Sequence, residues 1–114
     1  MLQSLARGLD LSDAEYEALL AVRDELRTGK LELDMRDGCR CISGHMGARL
    51  GENGMSGAAY TQKISGLPLR HPMRQLCYPP RAVWWRTGVN GYDATPRQAA
   101  EAIDRMLVGA DPWL

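Results

Sequence analysis

The chain has 114 residues, of which 45% are hydrophobic and 25% charged, and its formal net charge is zero. That size makes one domain and supports a hydrophobic core without staples. No apolar run approaches the ~18 residues of a membrane span, and the neutral balance leaves the molecule without a global electrostatic address. The opening Met-Leu-Gln-Ser-Leu-Ala-Arg lacks the basic-then-apolar pattern of a signal peptide. Three cysteines, an odd number, then fit reduced thiols in a cytoplasm better than a disulfide framework.

Residues 1–10 show no period, and Gly8 would interrupt a helix, so they read as a loose lead-in to a domain spanning 11–114. Ser12 and Glu15 form a capping box, with Leu11 and Tyr16 placed as a hydrophobic staple. The helix they open runs from Asp13 to about Thr28, with Tyr16, Leu19, Leu20 and Leu26 as its apolar face and Gly29 just past its end. Leu31-Glu-Leu-Asp-Met35 alternates apolar and polar, as a short strand or an extended connector does. Asp37-Gly38 is a turn pair.

The next stretch organises the rest. Cys41, Gly44, Ala48 and Gly51 recur at helical spacing as a stripe of small side chains, and Ile42, Met46 and Leu50 form a bulkier one. This predicts a central helix over 41–50, packed on more than one side by the first and last helices. A weak helix through Tyr60 and Ile64, capped by Ser56 and ended by Gly66, follows a turn at 52–54. Pro72 opens a short helix over 72–77 that Pro79-Pro80 ends. Ala82-Val-Trp-Trp85 reads as a strand, in which adjacent tryptophans face opposite ways, and turn chemistry follows over 87–91. Thr95-Pro-Arg-Gln98 is a second capping box. It starts a helix to about Val108 that buries Ala99, Ala102, Ile103, Met106 and Leu107 and ends at Gly109. Trp113, in the tail, is expected to fold back onto the body. The fold class is mainly α: a small single-domain bundle with at most a short two-stranded β element.

Charge is uneven along the chain. Residues 1–52 balance to −3, residues 53–92 hold five bases and no acid, and residues 93–114 balance to −2. Twelve of the fourteen bases are arginine, the side chain suited to fork-shaped recognition of carboxylate or phosphate. Within the basic third, Arg70, Arg74, Arg81, Trp84, Trp85 and Arg86 mix bases with aromatics, a composition of protein interfaces. These six are the candidate partner-binding residues. The same mixture suits nucleic acid, with arginine on phosphate and rings on bases.

Cys39, Cys41, His45, His71 and Cys77 supply enough ligands for tetrahedral zinc, although their spacing is not the Cys-x₂-Cys knuckle. Packing is the simpler reading, since a buried free cysteine behaves as a small hydrophobe. His45 lies one turn from Cys41 and would be the base in a Cys–His pair, but no orienting third residue can be picked out. There is no phosphate-binding Gly-rich loop, no Gly-x-Ser-x-Gly and no His-Glu-x-x-His, so neither a catalytic residue nor a cofactor is expected.

Leu33-Asp-Met35, Cys41-Ile-Ser-Gly44, Leu76-Cys-Tyr-Pro79 and Thr95-Pro-Arg-Gln-Ala-Ala-Glu-Ala-Ile103 resemble the pattern of a widespread group of small uncharacterised proteins of bacteria and their phages. The similarity runs from about residue 11 onward. Cys77 departs from it, standing where the pattern has an aromatic residue, and Cys39 lies outside it. The resemblance implies an accessory role in a mobile element. With the small size and the lack of catalytic motifs, the expectation is a non-enzymatic module that docks on a partner protein, one form being an anti-CRISPR-like inhibitor of host defence. The alternative is a nucleic-acid-binding regulator using the basic 63–86 segment, and the third reading is a zinc-supported structural module.

Overall fold

The computed structural model describes residues 9, 11–51, 57–81, 85, 86, 88 and 90–113, with backbone alone at 57 and 58. Five helices and one 3-10 turn carry the fold, and no strand occurs among the described residues: α1 (Asp13–Arg27), α2 (Ile42–Leu50), α3 (Gly57–Ser65), α4 (Pro72–Cys77), the 3-10 turn Gly91–Asp93 and α5 (Pro96–Leu107). The chain is a small α-rich domain. No helix is long and apolar enough to cross a membrane among these residues.

Both predicted capping boxes form. The Glu15 amide donates to the Ser12 hydroxyl at 3.1 Å and the Ser12 amide donates to the Glu15 carboxylate at 3.2 Å. Thr95 and Gln98 repeat the exchange at 3.2 and 2.9 Å. Each satisfies two of the orphan amides at a helix start and stabilises it by roughly 1 kcal/mol. Gly29 and Gly109 take positive φ just beyond α1 and α5, where a side chain would be strained.

The faces follow the periodicity. Tyr16, Ala18, Leu19, Val22 and Leu26 of α1 are buried, as are Ala99, Ala100, Ala102, Ile103 and Met106 of α5. These two helices pack on each other, and Arg23 and Arg27 both reach Asp104 across the seam. The central helix forms as expected, with Ile42, Ser43, Gly44, Met46 and Gly47 buried. Its main neighbours are α3 and α1, with α4 at one end. The expectation that both terminal helices flank it is corrected: α5 packs on α1 and α4 instead.

Of the two stretches with a strand reading, 31–35 takes the connector alternative and 82–85 fails at Trp85. In 31–35 the alternation is obeyed, since Leu31 and Leu33 pack on the core, Met35 is buried, and Glu32 and Asp34 are exposed. No neighbouring strand supplies a ladder, so the segment is an extended connector. Arg81, Trp85 and Arg86 have helical backbone, so the strand reading of 82–85 falls at Trp85. Residues 82–84, Trp84 among them, lie outside the described residues, as does the Ser56 cap. At the other end, Leu9, inside the lead-in read for 1–10, is buried and belongs to the same core cluster as Leu11. Trp113 does fold back: its ring is 5% exposed and its indole N–H donates to the carbonyls of Gln75 and Leu76 at 3.1 and 3.2 Å.

Candidate functional site

The five cysteine and histidine residues do not converge on one point, although Cys77 lies close enough to Cys41 to feel its charge. Cys39 is exposed in the turn before α2. Cys41 is the N-cap of α2, its sulfur accepting from the Gly44 amide at 3.4 Å. His45 turns away from it, and its Nε2 donates to the Glu32 carbonyl at 2.5 Å. His71 caps α4, its Nδ1 accepting from the Met73 amide at 3.1 Å. Among the described residues no three His, Cys, Asp or Glu side chains are grouped to hold a metal ion. Cys41 and His45 form no hydrogen bond with each other: the polar neighbours of the sulfur are the Gly38 carbonyl, Ser43, Thr61 and the Gly44 amide.

What surrounds Cys41 is a buried polar knot joining α2, α3 and the preceding turn. Cys41 Sγ lies 3.2 Å from Ser43 Oγ, Ser43 Oγ lies 3.0 Å from Thr61 Oγ1, and Thr61 Oγ1 donates to the Gly38 carbonyl at 2.7 Å. No buried side-chain nitrogen or oxygen is left without a partner among the described residues. Cys77 is also buried. Burial, then the neighbouring Cys41, pushes its thiol up to about 12 against the opposing effect of hydrogen bonds from Ser43. At pH 8 only about one Cys77 in ten thousand would be thiolate, the reactive form. Titration of the folded protein with a thiol reagent is expected to release one equivalent promptly, from Cys39, and the other two only in denaturant. Rapid release of two or three equivalents would show that the knot opens readily.

A second polar feature ties α1 to α3. Tyr60 Oη donates to Glu15 Oε2 at 2.5 Å, and Lys63 Nζ stands 4.0 Å from the same oxygen. Burial raises the Glu15 carboxyl, but the Tyr60 and Ser12 hydrogen bonds and the Lys63 charge outweigh it, so the pKa is lowered. Burial first, and then the Glu15 hydrogen bond and charge, push the Tyr60 hydroxyl up from 10.0. The lowered carboxyl contributes stability that is present above its unfolded value near 4.5 and is lost as pH falls through the folded one. The raised phenol contributes stability present below pH 10.0 and lost as pH climbs above it. Urea midpoints of wild type and Tyr60→Phe are therefore expected to converge at both extremes and to differ most near neutrality. A constant offset from pH 3 to pH 11 would mean the pair does not titrate with folding.

The candidate docking residues divide. Arg74 is half-buried and turned inward: its Nη1 donates to the carbonyls of Ser65 and Leu67 at 2.8 and 3.0 Å, and its guanidinium lies 5.6 Å from the Tyr78 ring centroid. It closes the C-terminal end of α3 and is spent on the fold. Arg70, Arg81 and Arg86 are exposed and, among the described residues, form no ion pair. Several arginines elsewhere are paired, Arg23 and Arg27 with Asp104, Arg36 with Asp93 and Arg49 with Glu25, whereas Arg97 on α5 is exposed without an ion pair among the described residues, as these three are. Trp85 is 74% exposed and Leu69 75%. Bare tryptophan of that extent is unusual on a folded surface.

Beside Arg81 is a hollow of about 220 Å³ lined by Pro79, Pro80, Arg81, Asn90 and Tyr92. Sequence reasoning found Arg81 but took the others only as helix terminators and turn chemistry. The Asn90-Gly91 pair was the available signal. Asn90 caps the 3-10 turn through the Tyr92 amide at 3.0 Å. Gly91 presses on Pro79 so closely that an added Cβ would meet the proline ring at 2.5 Å.

No family model matches the chain, and neither a curated protein nor a solved structure matches it.

Proposed function

We propose that the protein is a non-enzymatic binding module that docks on a partner protein through Trp85 and the exposed arginines around it. The observation that carries this reading is the bare Trp85 ring between Arg81 and Arg86, neither of which has an ion-pair partner among the described residues. Tryptophan and arginine are the residues that most often dominate binding energy at protein interfaces. The resemblance to phage-borne proteins favours one form of this, an inhibitor of host defence that acts by occluding its target. The acid-free run 53–92 keeps nucleic acid as the second reading. Three free arginines are few for that role: releasing three counterions gives a salt slope of roughly −3, so binding falls about 40-fold for each fourfold rise in salt.

The test uses the immobilised chain, a lysate of cells that carry the gene, and the charge-reversed variant Arg81→Glu with Arg86→Glu. A discrete protein held by wild type and lost with the variant, at unchanged helical circular dichroism, supports docking. Retention that is insensitive to the variant refutes it. Retention abolished by nuclease moves the function to nucleic acid.

A further inference from the structure

The docking surface has a second component besides the tryptophan, and its chemistry narrows the partner. The hollow beside Arg81 combines one free guanidinium with the apolar faces of Pro79 and Pro80. Asn90 Oδ1 already accepts from the Tyr92 amide, so its side-chain NH₂ is the donor left for a visitor. The nearest acid in sequence, Asp93, is taken up by Arg36 Nη1 at 2.6 Å, and that guanidinium also lies 5.8 Å from the Tyr92 ring centroid. Among the described residues no carboxylate pairs with Arg81, and the run 53–92 contains no acid. Gly91 pressed on Pro79 sets how close the Asn90 side of the hollow stands to the proline side.

Size decides between ligands. At about 220 Å³ the hollow is smaller than the ~300 Å³ at which pockets for whole small molecules begin. It suits one side chain. A planar fork beside an amide donor matches the two oxygens of a carboxylate. We propose that this hollow receives an aspartate or glutamate side chain from an acidic segment of the partner protein, while Trp85 engages an apolar part of the same surface. The inference rests on the docking reading and names the chemistry of the partner.

The test is an NMR titration of the ¹⁵N-labelled 114-residue chain with N-acetyl hexaglutamate, and separately with hexathymidylate. Saturable shifts at Arg81, Asn90 and Tyr92 are expected with hexaglutamate. Arg81→Gln should weaken them roughly tenfold or more, the scale of a charge-assisted hydrogen bond. Arg97→Gln, at an exposed arginine on α5, should leave them unchanged. Shifts elsewhere, equal effects of the two variants, or tighter binding of hexathymidylate would overturn the assignment. Two mixed results separate the two readings. Trp85-dependent capture of a protein without hexaglutamate shifts removes the carboxylate pocket and leaves docking standing. Hexaglutamate shifts without such capture uphold the pocket and remove docking.

Discussion

Gly44→Ala is expected to destabilise the protein by about 2–4 kcal/mol, enough to consume a large part of the 5–15 kcal/mol that holds a domain of this size together. Two effects oppose each other. Alanine is the better helix former by about 1 kcal/mol, and Gly44 lies inside α2. Against that, a Cβ at this position would sit 2.5 Å from the Cys39 carbonyl carbon, 2.6 Å from the Gly38 oxygen and 2.7 Å from the Cys39 oxygen. All three are backbone atoms, so no flexible side-chain end can swing aside. The turn that carries them cannot retreat cheaply either. The Cys39 and Cys41 amides both donate to Asp37, the Asp34 amide donates to Arg40, and the Gly38 carbonyl is held by Thr61. Overpacking against fixed atoms costs up to 3 kcal/mol and sometimes more, so the clash wins over propensity. Gly66→Ala is the control, where an added Cβ meets only the Lys63 oxygen at 3.4 Å, and should change the urea midpoint little. A Gly44→Ala protein as stable as wild type would show that the turn yields and that α2 is not pinned by it.

That glycine also shows how far the sequence could be read. The caps, the apolar faces of α1 and α5 and the proline start of α4 depend on neighbours within one or two turns, so local spacing revealed them. The small stripe on α2 was visible, but not its purpose. Ala48 and Gly51 are exposed, and the close approach is made at Gly44 by the chain's own preceding turn rather than by another helix. The strand reading of 82–85 failed at Trp85 because a four-residue apolar run carries no period to separate helix from strand. The alternation in 31–35 reported burial and left strand or connector open, since period two needs only an extended backbone. At the candidate site, the acid-free run marked Arg70, Arg74, Arg81 and Arg86 alike, and nothing in the sequence separated the exposed ones from Arg74. Its engagement with the α3 carbonyls depends on how α4 folds back, which no spacing encodes. Glu15 and Tyr60 are 45 residues apart and met for the same kind of reason.

Trp113→Ala is the second large loss expected, about 3–5 kcal/mol, the range for removing a buried tryptophan. The ring closes the core at the point where α4, the 3-10 turn and the C-terminal tail converge. It lies near Gly91, where an added Cβ would be 3.2 Å from Cδ2, and its N–H satisfies the Gln75 and Leu76 carbonyls of the last turn of α4. The tail is shaped to deliver it: Asp111 accepts from the Trp113 amide at 3.1 Å and Arg105 reaches the Pro112 carbonyl at 3.4 Å. Trp113→Phe separates the two contributions. It keeps most of the apolar contact and removes the donor, so the expected cost is about 1–2 kcal/mol, that of leaving carbonyls short of a partner. Urea denaturation of both variants gives the comparison. A Phe variant as unstable as the Ala one would assign the role to the hydrogen bonds rather than to packing. Because Gly91 and Pro79 share this corner with the hollow beside Arg81, Trp113→Ala is also expected to broaden the NMR signals of Asn90 and Tyr92 while those of α2 and α3 stay sharp. Broadening spread evenly over the helices would mean that the corner is not a separate unit and that the loss is felt by the whole core.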